Sequence, residues 1–101
     1  MSYPCNYDAA GKDLGMDLLN NPDIVAERPD VAVSTAVWFF RAYSIVEPAR
    51  RGDFAATTRI INGGQECNGG PGFNSQQTRV ATYRRIRQCF GLGEPIINPT
   101  C

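Results

Sequence analysis

The longest mainly apolar segment of the sequence, 30–44, carries two periodicities at once. Apolar or β-branched residues alternate along it as in a strand, at Val31, Val33, Thr35 and Val37. Apolar side chains also recur at the spacing of one helical face, at Val33, Val37, Phe40 and Tyr43. Periodicity alone leaves both structures open, but fifteen residues exceed the length of most strands. The length favours a helix that is apolar on nearly all sides and is therefore buried at the centre of a domain.

Helix-boundary signals divide the chain before this segment. Alanine, leucine and glycine in 9–19 predict one or two helical turns that end near Gly15. Asn21 followed by Pro22 is typical of a helix start, because proline is tolerated at the first helical position. This short helix is predicted to end before Pro29, which can open the apolar segment itself.

A surface connection is predicted at 43–52, where Pro48 and charged residues follow the apolar segment. Asp53 is then placed to cap a helix over 54–61. The asparagine and two glycines at 62–64 predict the end of that helix in left-handed backbone.

The last helix has the clearest signals. After a glycine-containing loop at 65–74, Ser75 is predicted to cap it and Gly91 to end it. One face is marked by Val80, Tyr83, Ile86 or Arg87, and Phe90. The tail at 94–101 is predicted to be irregular. The pattern as a whole predicts an all-α fold of about four helices with glycine-rich loops.

Composition indicates a folded chain, since 43% of the 101 residues are hydrophobic and 20% are charged. Its length suits a single domain over 1–101. Ten basic residues balance ten acidic ones, so neither nucleic acid nor an anionic membrane is an expected partner. No apolar run approaches the roughly 20 residues that a membrane-spanning helix needs.

The chemistry-bearing residues are restricted by the absence of histidine. Histidine-dependent nucleophiles and a metal site are not expected, and no cofactor-binding motif is present. The four cysteines form no CxxC pair, and their even number favours disulfides and a secreted, extracellular protein. The N-terminal residues lack the features of a signal peptide. The residues alone therefore indicate a secreted helical domain and no particular activity.

Five consecutive blocks of the sequence resemble those of family 19 chitinases, in the same order. They are NYDAAGK at 6–12, DLLNNPDIVA at 17–26, TAVWFF at 35–40, RIINGGQEC at 59–67 and RVATYRR at 79–85. The resemblance covers nearly the whole chain and the C-terminal half of the family's catalytic domain. It implies a mainly α-helical, lysozyme-like fold.

The activity that the resemblance implies is inverting hydrolysis of β-1,4-linked N-acetylglucosamine polymers, which needs two carboxyl groups. In the family, the acid and base glutamates lie upstream of the block that matches the start of this chain at Ser2. Both are therefore expected to be absent, and the chain alone is expected to be inactive.

The resemblance also assigns supporting roles to individual residues. Ser2 matches a serine that helps to hold the attacking water; a disordered terminal residue is the alternative. Asn6, Tyr7 and Asn62 match substrate-binding positions; local caps are the alternative for Asn6 and Asn62. Trp38, Phe39 and Phe40 match a buried helix and are expected in the core.

A second group of residues is implied near the catalytic acid. Glu66 and Arg79 match an ion pair that flanks the acid; without the acid, a structural salt bridge or solvated charges are the alternatives. Cys67 and Cys101 match a disulfide pair of the family. A second pair of Cys5 and Cys89 is possible.

Three functional classes remain open at this point. The chain can be part of a chitinase that acts on chitin or peptidoglycan, with the missing N-terminal half of the domain as a partner. It can instead be a non-catalytic secreted module that binds chitin oligosaccharides in a lectin-like or defence role. A third possibility is an interaction protein with an exposed apolar face.

Overall fold

The computed structural model describes all of residues 1–101 and contains six helices and no strand. In chain order they are α1 (Pro4–Leu14), α2 (Ile24–Glu27), α3 (Pro29–Ala42), α4 (Val46–Arg50), α5 (Phe54–Glu66) and α6 (Phe73–Cys89). The predicted all-α fold is confirmed, and two short helices, α2 and α4, bring the number to six. None of the six has the length and apolarity that crossing a bilayer requires.

The chain forms two compact units, Met1–Ser44 and Ile45–Cys101. In the first unit, α1 and α2 both pack against α3. In the second unit, α5 packs against α4 and α6.

The first unit is organised around a small apolar core of Ala10, Leu18 and Val31. Helix α1 begins at Pro4, earlier than predicted, because a proline in the first turn removes an N–H that would have no intrahelical partner. It ends at Gly15 as predicted, in the left-handed conformation with a φ of 72°. Gly11 is required inside α1, because a Cβ there would lie 2.5 Å from the carbonyl oxygen of Met16.

Helix α3 resolves the ambiguity of the apolar segment in favour of the helix, and Pro29 opens it as predicted. Its predicted central burial is wrong. Only Val31 and Thr35 of this helix are buried, whereas Val33 is 65% exposed and Phe40 is also at the surface. The helices that pack on α3 within its unit, α1 and α2, cover one side of it and leave the other side in solvent.

Helix α2 begins later than the sequence signals predicted. Asn21 and Pro22 lie in the turn before it, and its first residue is Ile24. The Asn21 carbonyl accepts a hydrogen bond from the Ile24 N–H, so the pair forms a turn and not the cap and first residue of the helix.

In the second unit, the connection predicted at 43–52 contains helix α4. This short helix forms because Ile45 and Pro48 bury their side chains, although most of its other residues are exposed. The Asp53 cap is confirmed: its Oδ1 accepts a hydrogen bond from the Ala56 N–H at 3.0 Å.

The end of α5 and the start of α6 differ from the predictions. Asn62 interrupts α5 with a φ of −157° and a ψ of 35°, but the helix resumes and continues to Glu66. The two glycines that follow Asn62 are not left-handed. Helix α6 begins at Phe73 with Gly72 as its N-cap, so Ser75 lies inside the helix and does not cap it.

Candidate functional site

The most buried ionic group of the chain is the pair formed by Glu66 and Arg79 in the second unit. Glu66, the last residue of α5, is only 4% exposed. Its Oε1 accepts a hydrogen bond from Arg79 Nη1 of α6 at 2.9 Å, and its Oε2 accepts one from Asn62 Nδ2 at 3.1 Å. Both carboxylate oxygens therefore face donors, and the pair joins two helices.

The interruption of α5 explains how Asn62 takes part in this group. Its non-helical backbone lies between the two helical stretches of α5, and Glu66 follows four residues later. Residues at that spacing meet on one side of a helical turn, which places the amide of Asn62 against the carboxylate. Asn62 itself remains exposed, so its amide oxygen is free to accept a further hydrogen bond.

Arg79 is held by α5 through two additional contacts. Its Nη1 also lies 3.2 Å from the hydroxyl of the fully buried Thr58. Its guanidinium carbon lies 5.2 Å from the ring centroid of Phe54, a cation–π distance. Phe54 in turn stacks on Tyr83 with ring centroids 4.4 Å apart. These contacts fix the direction from which the guanidinium meets Glu66.

The C-terminal tail is anchored beside this pair by a disulfide. Cys67 and Cys101 are bonded, as the family resemblance implied, and they close a loop with a sequence separation of 34. The Asn68 N–H donates to the carbonyl of Cys101 at 2.9 Å, which adds a backbone link at the same place. The second pair left open by the sequence is not formed, because Cys5 and Cys89 are free and exposed.

Gln76 connects the tail to the helix end that carries Glu66, and sequence reasoning missed it. Its side chain is completely buried. Its Nε2 donates to the Glu66 carbonyl, and its Oε1 accepts a hydrogen bond from the Cys101 N–H at 2.8 Å. The only sequence signal is that Gln76 lies four residues before Val80, on the buried face of α6.

The site residues expected near the N-terminus form a separate group in the first unit. Asn6 is buried; its Nδ2 donates to the Ser2 carbonyl at 2.7 Å, and its Oδ1 accepts a hydrogen bond from the Tyr43 hydroxyl at 2.6 Å. The side chain of Ser2 is exposed, and the Tyr7 hydroxyl lies 3.5 Å from the Met1 carbonyl.

Tyr43 is the residue of this group that sequence reasoning missed. It stands out in the sequence only as part of an apolar stripe. Its ring stacks on Phe39 with centroids 4.4 Å apart, which fixes the hydroxyl that binds Asn6. The structure thus brings Asn6 to Ser2 and Tyr43, and Asn62 to Glu66 and Arg79.

Several ionisable groups outside these two clusters form hydrogen bonds or ion pairs at the surface. Hydrogen bonds from the side chain and backbone of Asn20 lower the pKa of Asp17. A hydrogen bond from Arg28 lowers the pKa of Asp30, and one to Asp8 raises the pKa of Lys12. No cluster of three histidine, cysteine or acidic side chains that could hold a metal ion is present.

The second unit is thus an all-helical, disulfide-closed structure that presents one buried carboxylate–guanidinium pair beside an exposed amide. Comparison with known proteins defines the class of the chain that contains both units. The family model for class I chitinases of glycoside hydrolase family 19 matches residues 1–50. An endochitinase of Arabidopsis thaliana is 55% identical over 101 residues, which are all of this chain and 34% of that protein. An acidic endochitinase of Dioscorea japonica is 47% identical over 99 residues, which cover 92% of this chain and 37% of that protein.

Solved structures agree with the sequence comparisons. Chitinase C from Streptomyces griseus is 34% identical, with a TM-score of 0.82 over all of this chain and 51% of that one. A bacterial family 19 chitinase is 38% identical, with a TM-score of 0.78 over all of this chain and 52% of that one. The chain therefore belongs to the family 19 chitinases and has their lysozyme-like helical fold. It spans between about a third and a half of the length of these relatives.

Proposed function

We propose that this chain supplies one part of a chitinase catalytic domain that hydrolyses β-1,4-linked N-acetylglucosamine polymers with inversion. The observation that carries the proposal is the buried Glu66–Arg79 pair, which lies in the RIINGGQEC and RVATYRR blocks of a chain similar to chitinases over its whole length. A carboxylate and a guanidinium held in this way can set the proton affinity of a catalytic acid placed beside them.

The chain by itself lacks the groups for the reaction. Inverting hydrolysis needs one carboxyl group to protonate the leaving oxygen and a second to activate water on the opposite side of the sugar. Glu66 is the one carboxylate of its cluster, and both of its oxygens already accept hydrogen bonds. A carboxylate that serves as a double acceptor has no proton to donate, so Glu66 acts as a positioning residue and not as the acid.

The exposed amide of Asn62 is the first proposed substrate contact. Asn6 is the second, and there the sugar would have to replace the Ser2 carbonyl or the Tyr43 hydroxyl at a buried amide. The acetamido group of N-acetylglucosamine offers one N–H donor and one carbonyl acceptor. A side-chain amide can accept a hydrogen bond from the N–H with its oxygen and donate one to the carbonyl with its nitrogen. Asn62 has a free amide oxygen, and the aromatic ring of Tyr7 accompanies Asn6. Ser2, exposed beside Asn6, is proposed to position the attacking water once the catalytic base is supplied.

The partner proposed for this chain is the other half of a family 19 catalytic domain. The relatives are two to three times as long as this chain. The exposed side of α3 carries an apolar stripe of Val33, Val37, Phe40 and Tyr43. Apolar residues at such regular helical spacing are normally covered in a folded domain, and the partner half would cover them.

Secretion is proposed from the cysteine chemistry. The Cys67–Cys101 disulfide closes the site and ties the tail to Gln76 and Asn68. Disulfides of this structural kind persist in oxidising compartments, and so an extracellular location suits this chain.

The test is an assay of the purified chain on chitohexaose, alone and mixed with a polypeptide that carries the first half of a family 19 domain. The chain alone should give no hydrolysis, and the mixture should release shorter oligosaccharides of inverted anomeric configuration. Phe40→Glu should weaken the association, because it places a charge in the apolar stripe. Its matched control, Ser34→Glu, changes another exposed position of α3 that lies outside the stripe.

Hydrolysis by the chain alone that is lost in Glu66→Gln would refute the assignment of Glu66 as a positioning residue. If the two halves associate without hydrolysis, the partner proposal stands and the catalytic one fails.

The second candidate is a non-catalytic module that binds chitin oligosaccharides, favoured by the exposed amide of Asn62. A binding site formed by only part of a catalytic domain offers the sugar few desolvated contacts, so we expect dissociation constants on the order of millimolar. An NMR titration with chitotetraose distinguishes this candidate, since it should shift the amide signals of Asn62 without any product.

A further inference from the structure

A second concave site lies in the second unit, on residues other than those of the Glu66 cluster. It is a pocket of about 450 Å³ formed by the end of α4, the C-terminal half of α6 and the tail that follows α6. Small-molecule sites in proteins typically have volumes of about 300–1,000 Å³, so the pocket is large enough for one small ligand.

The walls of this pocket are apolar and open to solvent. Ile86 contributes from α6, Phe90 from the C-cap position of that helix, and Leu92 from the tail. Phe90 is 77% exposed, and the other two side chains are also at the surface. Exposed apolar side chains that cluster around a concavity are typical of a ligand site, whereas single ones are ordinary.

The charged groups of the pocket are all cationic: Arg50, Arg51 and Arg87 line it, and no aspartate or glutamate does. Arg50 is paired with Glu47 at 3.3 Å, which neutralises it. Arg51 has neither an ion pair nor a side-chain hydrogen bond in the structure, so its guanidinium is available.

Arg87 is the most informative of the three. It is half-buried, its Nε donates to the Gly93 carbonyl and its Nη2 donates to the Leu92 carbonyl, each at 3.0 Å. Its guanidinium carbon also lies 5.8 Å from the ring centroid of Tyr83. These partners hold the guanidinium rigidly but leave its charge without a carboxylate. Its Nη1 donates to the Tyr83 hydroxyl at 3.4 Å, so two of its five N–H groups remain free for an acceptor.

From the unpaired cations beside an apolar wall, we infer that this pocket binds an amphiphilic anion: a carboxylate with an alkyl body. The carboxylate accepts hydrogen bonds from Arg51 and Arg87, and the alkyl chain lies along Ile86, Phe90 and Leu92. A guanidinium suits this role because its planar donors match the two oxygens of a carboxylate. The site is distinct from the proposed chitinase function, since N-acetylglucosamine polymers are uncharged.

The test is calorimetric titration of the intact chain with decanoate below its micelle concentration, beside decanol and decyltrimethylammonium. Decanoate should bind saturably, more weakly as salt is raised, and at least about tenfold more tightly than the other two. In NMR spectra, the amide signals of Gly52 and Leu92 should shift. Arg51→Gln should weaken decanoate binding about tenfold without loss of folding, because this side chain makes no hydrogen bond in the protein.

The matched control is Arg85→Gln, which removes the same charge from an exposed position of α6 outside the pocket. It should leave decanoate binding unchanged. Equal affinity for decanol and decanoate would overturn the inference, and so would equal losses in the two arginine variants. Sedimentation with phosphatidylglycerol vesicles in the absence of saturable decanoate binding would also overturn it, in favour of a membrane surface. Should Arg51→Gln fail to fold, the salt dependence of decanoate binding to the unchanged chain decides the question.

Discussion

The two units of the chain hold their candidate site residues by different means. In the second unit, Glu66 is held by an ion pair, an amide and a buried glutamine, and a disulfide from the next residue, Cys67, closes the segment that contains Arg79 and Gln76. In the first unit, Asn6 is held by one tyrosine hydroxyl and one backbone carbonyl, without a covalent link.

The buried residues of the two units also differ in kind. The first unit relies on a small apolar cluster, and α3 leaves an apolar face in solvent. The second unit supplements its apolar contacts with buried polar residues, Thr58, Glu66 and Gln76, whose side chains all form hydrogen bonds. A short chain can therefore position a polar site by its own hydrogen bonds and disulfide, whereas a unit with few buried apolar residues leaves part of its helical surface uncovered.

The largest expected effect is the loss of the disulfide. Cys101→Ser opens a loop with a sequence separation of 34, which is worth about 3.5–4 kcal/mol in the chain-entropy account of disulfides. Thermal unfolding should show a markedly lower melting temperature, and hydrogen exchange should show weaker protection in α6 than in α3. Cys89→Ser is the control, because Cys89 is free and exposed. Equal destabilisation by both variants would contradict the pairing.

The next effect tests the apolar core of the first unit. Leu18→Ala removes a fully buried side chain from a cluster of three buried residues and should cost about 3 kcal/mol. The loss in the free energy of unfolding can be measured by urea unfolding followed through the fluorescence of Trp38, which packs against this cluster. Leu19→Ala serves as the control, since Leu19 is 46% exposed. A loss below about 1 kcal/mol for Leu18→Ala would mean that the cluster is not what stabilises this unit.

A smaller loss is expected from breaking the ion pair. Arg79→Leu leaves the Glu66 carboxylate buried without its cation and should cost about 2 kcal/mol. The figure is below the usual cost for a fully buried pair because the Arg79 side chain is 34% exposed. The double variant Glu66→Leu with Arg79→Leu should recover part of the loss, since no unpaired charge remains. Chemical denaturation of the two variants gives the comparison, and a double variant less stable than Arg79→Leu would argue against it.

The smallest effect concerns acid titration in the first unit. Hydrogen bonds from Asn20 lower the pKa of Asp17 below its ordinary value of 3.8. A lowered pKa in the folded chain means that the contribution to stability is fully present above pH 3.8 and is lost as the pH falls through the folded-state pKa. NMR titration of the Asp17 carboxyl carbon should show this lowered pKa, and Asn20→Ala should raise it towards 3.8. An unchanged titration in Asn20→Ala would show that the Asn20 side chain is not the cause.

Local signals in the sequence were sufficient for several element boundaries and for the fold class. Gly15, Pro29 and Asp53 were placed correctly, because each acts through its own backbone freedom or through a hydrogen bond to a residue three positions away. The same reasoning failed at Ser75, where an equally suitable capping residue lies inside the helix. A capping residue in the sequence shows only that its side chain can accept a hydrogen bond from the first turn of a helix. The packing of the surrounding chain decides where the helix begins.

The amino-acid sequence by itself determined that the chain is helical and which family it belongs to. Only the tertiary structure decided that Gln76 bridges Glu66 to Cys101, which lies 25 positions after Gln76. It also decided that 46–50 forms a helix, that the preceding residue Ile45 is buried, and that one side of α3 faces solvent. Helical periodicity and caps arise from residues within about four positions of one another, so they can be read along the chain. Burial and the partners of buried polar groups are set by residues far apart in sequence, and they exist only once the helices have packed.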